Sequence, residues 1–385
     1  MEQFATRLAS ISAFKAMKVL DRARELEAEG RKVIHLEVGE PDFATPAPIV
    51  AAAKQALDEG QTKYTPAPGI PELRRAIAKH YETDYGIEID SQRIFVTAGG
   101  SGALLLTMAL LINPGDGVLM TDPGYPCNPN FVHSFSGVAQ RVPVTAADRY
   151  QLSAASVASY WQDNTRAALV ASPANPTGSV LTLPELQNIA DEVKRRQGAL
   201  IVDEIYHGLD YSNSSLPTAL QVDAIVINSF SKFFGMTGWR LGWLIVPESA
   251  IPLVEKLAQN LFICPSAISQ QAALAAFTPE AKQIMLSQRA AFEARRDLLL
   301  NGLRQLGFAV PIDPAGAFYV YAGLPESWTG DSEAFCRQLL EEQGIATTPG
   351  TDFGFYQAER HVRLSYANDL AALEEALAGI ARLLK

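Results

Sequence analysis

Hydrophobic and polar positions follow two patterns along the chain, one typical of amphipathic helices and one typical of buried strands. The helical spacing comes first, and three segments carry it: residues 12–30, 45–60 and 71–84. Beyond them, short continuous apolar runs alternate with helix-period segments such as 184–196. These runs lie at 93–97, 117–121, 167–171, 199–203, 224–228 and 241–246. The alternation predicts an α/β fold, with a mostly parallel sheet flanked by helices on both faces.

The pattern changes after about residue 280, where a long charged helical segment begins. Helices and strand-like runs then follow at 281–306, 317–321, 331–343, 360–366 and 369–384. We read this part as a smaller α+β domain. Because 385 residues exceed the size at which one core stops growing, we expect two domains. The predicted divisions are an N-terminal segment 1–45 packing with the small domain, a large domain 46–284 and a small domain 285–385.

Composition narrows the class of protein. Hydrophobic residues make up 48% of the chain, charged residues 19%, and the net charge is −10 without a run of Lys or Arg. A nucleic-acid or anionic-membrane partner is therefore not expected. Three scattered cysteines favour reduced thiols over a disulfide framework or a cysteine-based zinc site, and no metal site is predicted. Since no apolar stretch reaches a membrane-spanning length, we expect a soluble, cytoplasmic protein.

Unusual polar residues fall where the predicted strands end. Ligands of open parallel sheets bind beyond the carboxyl ends of the strands, so these residues should converge on one crevice. In chain order they are Gly99 to Gly102, Tyr125, Asn175, Asp203, Tyr206, Ser229, Lys232 and Arg240.

One interpretation of Gly99 to Gly102 is a phosphate-binding site. Gly99 to Gly102 leave a strand and open a helix, whose free N–H groups hold anions well, although a tight turn explains the glycines equally. Ser229 adds a hydroxyl and Arg240 a guanidinium, although a surface ion pair is the ordinary role of a lone arginine. The chain has no P-loop and no dinucleotide fingerprint, which favours a phosphate on another kind of molecule.

The remaining residues fit a planar, electron-accepting ring. A desolvated Lys232 beside a cation would have a lowered pKa suited to imine chemistry, although most lysines are solvated. Asp203 either pairs with a protonated ring nitrogen or caps a helix. Tyr206 and Asn175 either donate to a ring oxygen or fix a turn, and Tyr125 either stacks on a ring or packs in the core. Taken together, the set predicts pyridoxal phosphate as the cofactor.

Longer motifs carry a family resemblance across nearly the whole chain. They are EVGEPDF (37–43), KYTPAPG (63–69), TAGGSGAL (97–104), NPTG (175–178), DEIY (203–206), SFSK (229–232), MTGWRLGW (236–243) and VRLSYA (362–367). With these motifs the sequence resembles fold-type I aminotransferases of class I/II, which are similar to aspartate aminotransferase. The resemblance implies a pyridoxal-phosphate enzyme that moves an amino group between an L-amino acid and a 2-oxo acid by a ping-pong mechanism.

The resemblance also implies roles for individual residues. It implies three catalytic residues. Lys232 is the Schiff-base lysine, Asp203 is the partner of the ring nitrogen and Tyr206 donates to the ring oxygen. The cofactor is further held by Gly100, Ser101, Tyr125, Asn175, Ser229, Arg240 and Tyr64. The substrate carboxylate is bound by Gly39, Asn175 and Arg363. Tyr64 would reach the phosphate of a neighbouring subunit, which implies a homodimer with shared active sites.

Three alternatives stay open at this point: a C–S β-lyase on the same scaffold, a cofactor-binding regulator and a non-catalytic structural protein. The amino donor is also open. Some aspartate-using relatives carry a lysine where this chain has Ser101, which weakens an aspartate assignment. Phe14, Tyr125 and Phe353 would make an apolar pocket that favours alanine, branched or aromatic donors.

Overall fold

A computed structural model describes residues 4–211 and 216–385. Its α-helices, labelled α1 to α12 in chain order, are Lys15–Ala28, Ala47–Asp58, Pro71–Tyr85, Gly99–Leu111, Cys127–Ser134, Ala154–Tyr160, Leu183–Arg195, Ile251–Leu261, Ala267–Leu274, Pro279–Gln305, Ser332–Gln343 and Leu370–Leu383. Its strands, labelled β1 to β12, are Ile34–His35, Ile94–Thr97, Gly117–Asp122, Val138–Pro143, Thr165–Ala171, Ala199–Asp203, Ile225–Ser229, Gly242–Ile245, Tyr319–Gly323, Ile345–Ala346, Thr348–Pro349 and His361–Ser365.

The largest sheet has the strand order β2-β8-β7-β6-β5-β3-β4. Its pairs are parallel except at β8, which runs antiparallel to both β2 and β7. The predicted α/β fold with a mostly parallel sheet is thereby confirmed. Because β8 runs backwards, Arg240 at its entrance lies at the same edge as the residues that follow β2 and β7.

Burial explains why the central strands read as continuous apolar runs. All residues of β7 and the last four of β6 are buried, since helices cover both faces of the sheet. Helix α7 shows the complementary pattern: Leu186, Ile189 and Val193 are buried on one face. The side chains of Thr182 and Glu185 form a capping box at its start.

A second, antiparallel sheet has the order β11-β12-β9. Its register places Arg363 opposite Tyr321, and Tyr319 opposite Ser365. A further pair, β1 with β10, sets Ile34 beside Ile345 and so joins the N-terminal segment to the C-terminal part of the chain. The domain boundaries at residues 45 and 284 stay predictions.

No helix within residues 4–211 and 216–385 is both long and apolar enough to cross a bilayer.

Candidate active site

Lys232 follows β7 and points its amine towards the N-terminal segment. Its Nζ donates to the main-chain oxygen of Gly39 at 2.6 Å. The rings of Tyr206 and Phe318 each lie 5.9 Å from Nζ, so aromatic surface borders the amine on these sides. This enclosure removes solvent from a group that is normally hydrated.

The charge state of Lys232 is shifted accordingly. Burial lowers the pKa of Lys232 to about 8, and the positive charges of Arg363 and Arg240 act in the same direction. The carboxylates of Glu40 and Asp203 oppose this shift. The direction agrees with the sequence prediction of a lysine suited to amine nucleophile chemistry.

Asp203 ends β6 and is only 4% exposed. Its Oδ1 accepts a hydrogen bond of 3.1 Å from the backbone N–H of Ile205. Burial raises the pKa of Asp203 to about 7, while the charge of Lys232 lowers it. A buried carboxylate with so little support needs a positive partner, and a protonated ring nitrogen supplies one.

A cradle for an anion lies at the start of α4. Gly99 has a φ of +71°, and a Cβ placed there would come within 2.6 Å of Nη2 of Arg240. A Cβ on Gly100 would lie 3.8 Å from the Cβ of Ser229, so the hydroxyl-bearing residue borders the same turn. Ser101 is exposed in that turn. Helix N–H groups, hydroxyls and one guanidinium together suit a phosphate.

Arg363 is the most deeply buried cation of the site, with 1% exposure. Its Nη1 donates to Oδ1 of Asn175 at 3.0 Å, and its Nη2 donates to the main-chain oxygen of Glu37. Its guanidinium carbon lies 4.3 Å from the ring centre of Tyr319 and 4.7 Å from that of Phe353. Nε has no hydrogen-bond partner, and no carboxylate of the described residues forms an ion pair with the guanidinium. A buried guanidinium in this state fits an anionic ligand.

Tyr319 also belongs to the site, although no motif or spacing in the sequence singles it out. Its hydroxyl oxygen lies 2.9 Å from that of Tyr206. A Cβ on Gly39 would collide with the same oxygen, so a larger residue there would displace the Tyr319 hydroxyl. In the apolar segment GAFYVY a tyrosine reads as core packing, which is why sequence analysis missed it.

Tyr125 lies where the crevice meets the N-terminal segment of the chain. The ring of Phe14 meets the ring of Tyr125 edge-on, with 6.4 Å between their centres. The N–H of Gly124 donates to the main-chain oxygen of Phe353 at 2.9 Å, which brings the third predicted aromatic close. Tyr64, by contrast, is 83% exposed and makes no hydrogen bond within the described residues. Within a single chain, Tyr64 therefore lies outside the crevice.

This fold and crevice define a class of protein, the enzymes that hold pyridoxal phosphate at the edge of a mostly parallel sheet. The match with known proteins is more specific. The chain belongs to the aminotransferase class I and II family, which it matches over residues 31–380.

Individual relatives agree with that membership. A valine–pyruvate aminotransferase of Mycobacterium tuberculosis is 40% identical over 372 residues, covering 96% of this chain and 95% of the relative. An aspartate aminotransferase of Geobacillus stearothermophilus is 34% identical over 100% of this chain and 99% of its own. Among solved structures, an aminotransferase from Mycobacterium tuberculosis has a TM-score of 0.95 at 40% identity, covering 100% of this chain and 99% of the other. Aspartate aminotransferase from Thermus thermophilus with maleate has a TM-score of 0.93 at 34% identity, with 100% of both chains covered.

The chain is therefore a pyridoxal-phosphate-dependent aminotransferase, as its sequence predicts. Its substrates are an amino acid and an oxo acid. None of these similarities favours the C–S lyase alternative.

Proposed function

We propose that the crevice around Lys232 transfers the amino group of an apolar L-amino acid to a 2-oxo acid, with Arg363 as the clamp for the substrate carboxylate. One observation carries this proposal: Arg363 is buried with a free Nε, and no carboxylate within residues 4–211 and 216–385 forms an ion pair with it. A buried cation without an ion-pair partner is costly, so its retention favours a ligand that supplies the negative charge.

The bound cofactor would be held by the groups that converge around Lys232. When bound, pyridoxal phosphate supplies an aldehyde that combines with amines and a ring that takes up electrons from Cα. In this proposal Lys232 attaches the cofactor and its released Nζ removes the Cα proton of the substrate. Asp203 keeps the proton on the ring nitrogen, and Tyr206 and Asn175 donate to the ring oxygen. The ring face is covered by Tyr125, and the phosphate is bound by Gly100, Ser101, Ser229 and Arg240.

The substrate carboxylate would lie between the two sheets. Arg363 offers a planar pair of N–H donors, Asn175 is already bonded to it, and the main-chain oxygen of Gly39 accepts from the amine of Lys232. In this proposal, a carboxylate held by Arg363 orients Cα towards the amine of Lys232. Orientation of this kind is a large part of what an enzyme supplies to a proton transfer.

The side-chain pocket supports an apolar donor. Phe14, Tyr125 and Phe353 present aromatic surface there, and Ser101 replaces the lysine found in some aspartate-using relatives. The relative that is 40% identical is named for valine and pyruvate. We therefore propose valine, or an amino acid of similar size and polarity, as donor and pyruvate as acceptor.

The test is a spectral titration of the purified enzyme with L-valine, L-alanine, L-phenylalanine and L-aspartate. Transamination without an oxo acid converts the cofactor to its amine form and bleaches the visible band, and pyruvate should restore the band. We expect valine to bleach at concentrations at which aspartate does not. Faster bleaching by aspartate would overturn the donor assignment. Release of ammonia and pyruvate from a cysteine conjugate, without bleaching, would favour the lyase.

We also propose that the enzyme is a homodimer in which Tyr64 reaches the cofactor phosphate of the neighbouring subunit. The supporting observation is that Tyr64 is 83% exposed in one chain. Arg240, assigned to the same phosphate, is also exposed in one chain. A second subunit that brings its own Tyr64 to this point would complete the phosphate site.

Mixing two defective variants tests the shared site. Lys232→Ala chains and Tyr64→Ala chains are purified, mixed and allowed to exchange subunits. If Tyr64 serves the neighbouring site, each mixed dimer has one site with both defects and one intact site, so tight cofactor binding and activity return. If Tyr64 serves its own chain, both sites stay defective. A particle mass of one chain in light scattering would overturn the dimer itself.

A cytoplasmic location is the last part of this proposal. It is supported by Cys127, Cys264 and Cys336, which are all free thiols in the structure. Fractionation of the source cells with an antibody against the enzyme tests it, and recovery in a secreted or periplasmic fraction would contradict it.

A further inference from the structure

Tyr319 occupies a position that the sheet register makes a neighbour of Arg363. On β12 and β9, Arg363 stands opposite Tyr321, so Tyr319 is its diagonal neighbour on the same face. Diagonal neighbours are within reach of each other when one side chain is aromatic and the other is long. The guanidinium carbon of Arg363 accordingly lies 4.3 Å from the centre of the Tyr319 ring.

The hydroxyl end of Tyr319 reaches the opposite side of the crevice. Its oxygen is 2.9 Å from the hydroxyl oxygen of Tyr206, and both residues are buried. It also lies close against Gly39, whose carbonyl oxygen accepts the hydrogen bond from Lys232. Tyr319 thus touches the carboxylate clamp with its ring and the cofactor side of the site with its hydroxyl.

The direction of the hydroxyl–hydroxyl bond follows from the charge beside it. Burial raises the pKa of both tyrosines and the cation of Arg363 opposes that shift in both, but the guanidinium lies over the ring of Tyr319 alone of the two. A cation over the ring makes a phenol a better hydrogen-bond donor. Either hydroxyl could be the donor by geometry, and on this argument we expect Tyr319 to donate to Tyr206, which leaves the proton of Tyr206 free for another acceptor.

We propose that Tyr319 is a positioning residue that links the two halves of the reaction site: its ring fixes the plane of Arg363, and its hydroxyl directs the hydroxyl proton of Tyr206 towards the ring oxygen of the cofactor. This inference rests on the proposed function, in which Tyr206 donates to that oxygen. Hydrogen bonds in such a chain strengthen each other, so loss of the outer bond weakens the inner one.

The hydroxyl half of the proposal is tested by the colour of the bound cofactor. A hydrogen bond to the ring oxygen favours its anionic form, so weakening that bond raises the pH midpoint at which the visible band changes. We expect Tyr319→Phe to raise the midpoint by roughly half a unit to one unit, the size of one ordinary hydrogen bond. Tyr206→Phe should raise it at least as far, and the double variant no further than Tyr206→Phe alone.

A matched control lies two residues along the same strand. Tyr321 is buried on the same face, and its hydroxyl has no hydrogen-bond partner. Tyr321→Phe should therefore leave the midpoint unchanged. If Tyr206→Phe shifts the midpoint and Tyr319→Phe does not, this inference is overturned while the proposed function stands. If Tyr206→Phe leaves the midpoint unchanged, the role of Tyr206 and this inference fall together.

The ring half is tested by substrate binding. Tyr319→Phe keeps the ring beneath Arg363, so the KM for the amino acid should change less than about twofold. Tyr319→Leu removes that ring, and we expect KM to rise about tenfold, which is the effect of losing a cation–aromatic contact in a dry site. Equal KM values for the two variants would contradict the link to Arg363. Should the leucine variant not fold, the phenylalanine variant and its spectral midpoint still decide the hydroxyl half.

Discussion

Nζ of Lys232 donates a hydrogen bond of 2.6 Å to the main-chain oxygen of Gly39, which is 193 residues away in the chain. Gly39 follows β1, which pairs with β10, whereas Lys232 follows β7 of the large sheet. The amine is therefore held at the meeting point of two parts of the fold. A carbonyl oxygen accepts from a charged or a neutral amine alike, so this contact fixes the position of Nζ without fixing its protonation state.

Attachment of the cofactor should follow the lowered pKa of Lys232. Only the neutral amine attacks an aldehyde, and burial lowers the pKa of this lysine to about 8. The rate of attachment to cofactor-free enzyme should rise about tenfold per pH unit below pH 8 and level off above it. Stopped-flow absorbance from pH 6 to 10 measures the rate. N-acetyl-lysine amide, run in the same buffers, corrects for the cofactor's own titration. A rate still rising steeply at pH 10 would contradict the prediction.

Arg363→Lys should weaken substrate binding far more than cofactor binding. A lysine cannot reproduce the planar pair of donors that contacts Asn175, Glu37 and a carboxylate together. We expect the amino-acid concentration for half-maximal bleaching to rise about 100-fold, which corresponds to losing one charge-assisted hydrogen bond. An amine without a carboxylate, used as substrate, should show no such loss.

Arg360→Lys is the matched control for that variant. Arg360 lies three residues away, immediately before β12, and it donates to main-chain oxygens, those of Trp328 and Gly330 among them. Its replacement can lower stability but should leave the bleaching concentration within about threefold. Similar losses in both variants would mean that Arg363 acts on the fold and not on the carboxylate.

Much of the fold was readable from periodicity because the elements are long and separately patterned. The predicted helices at 184–196, 331–343 and 369–384 end within one residue of the observed α7, α11 and α12. Strand β4 was not predicted, because it is an edge strand whose exposed and buried positions alternate and include Arg141. The direction of β8 was not readable either, since an apolar run specifies burial and not orientation.

The site was predictable to the extent that chain order places residues at strand ends. Asp203 ends one strand and Lys232 follows the neighbouring strand, so a parallel sheet brings them to one edge. Arg363 and Gly39 come from the other sheet and the N-terminal segment, and only the family resemblance pointed to them. Tyr319 had neither signal, because its contacts depend on the register of β9 against β12, which sequence does not reveal.

His35 should make stability depend on pH above neutrality. The hydrogen bond to Glu37, followed by Glu27, raises the pKa of His35 to about 9 against the opposing effect of burial. Because the folded-state pKa lies above the unfolded value near 6.5, this stabilisation is complete below pH 6.5 and is lost as pH rises through about 9. Discounted for the partial exposure of the ring, it amounts to about 1–3 kcal/mol.

The variant His35→Asn removes the titrating group, so its free energy of unfolding should fall less than that of the natural enzyme between pH 6.5 and 9.5. Denaturant unfolding of both proteins across that range measures the difference. His133→Asn is the control, because the His133 ring bonds to the carbonyl oxygen of Gly137 and not to a carboxylate. A parallel decline in the His35 variant and the natural enzyme would contradict the prediction.

Asp203→Asn should separate the cost of a buried charge from its use in catalysis. Burial raises the pKa of Asp203 from 3.8 to about 7, so in the cofactor-free enzyme this carboxyl opposes folding above pH 7, and that cost disappears below about pH 4. Asparagine does not ionise. The cofactor-free variant should therefore be more stable than the natural enzyme at pH 8, by about 2–4 kcal/mol at most, and equally stable at pH 4.

With the cofactor bound, Asp203→Asn should instead be the inferior protein, because its turnover should be lower than that of the natural enzyme. The carboxylate then faces a protonated ring nitrogen, and the variant loses the charge that keeps that proton in place while electrons enter the ring. We expect kcat to fall about 100-fold or more, with the cofactor still bound, because groups aimed at developing charge contribute about this much. Thermal unfolding with and without cofactor at pH 4 and pH 8, together with single-turnover bleaching, gives both readouts. A cofactor-free variant that is less stable than the natural enzyme at pH 8, or a variant with near-normal turnover, would show that Asp203 serves the fold instead of the ring nitrogen.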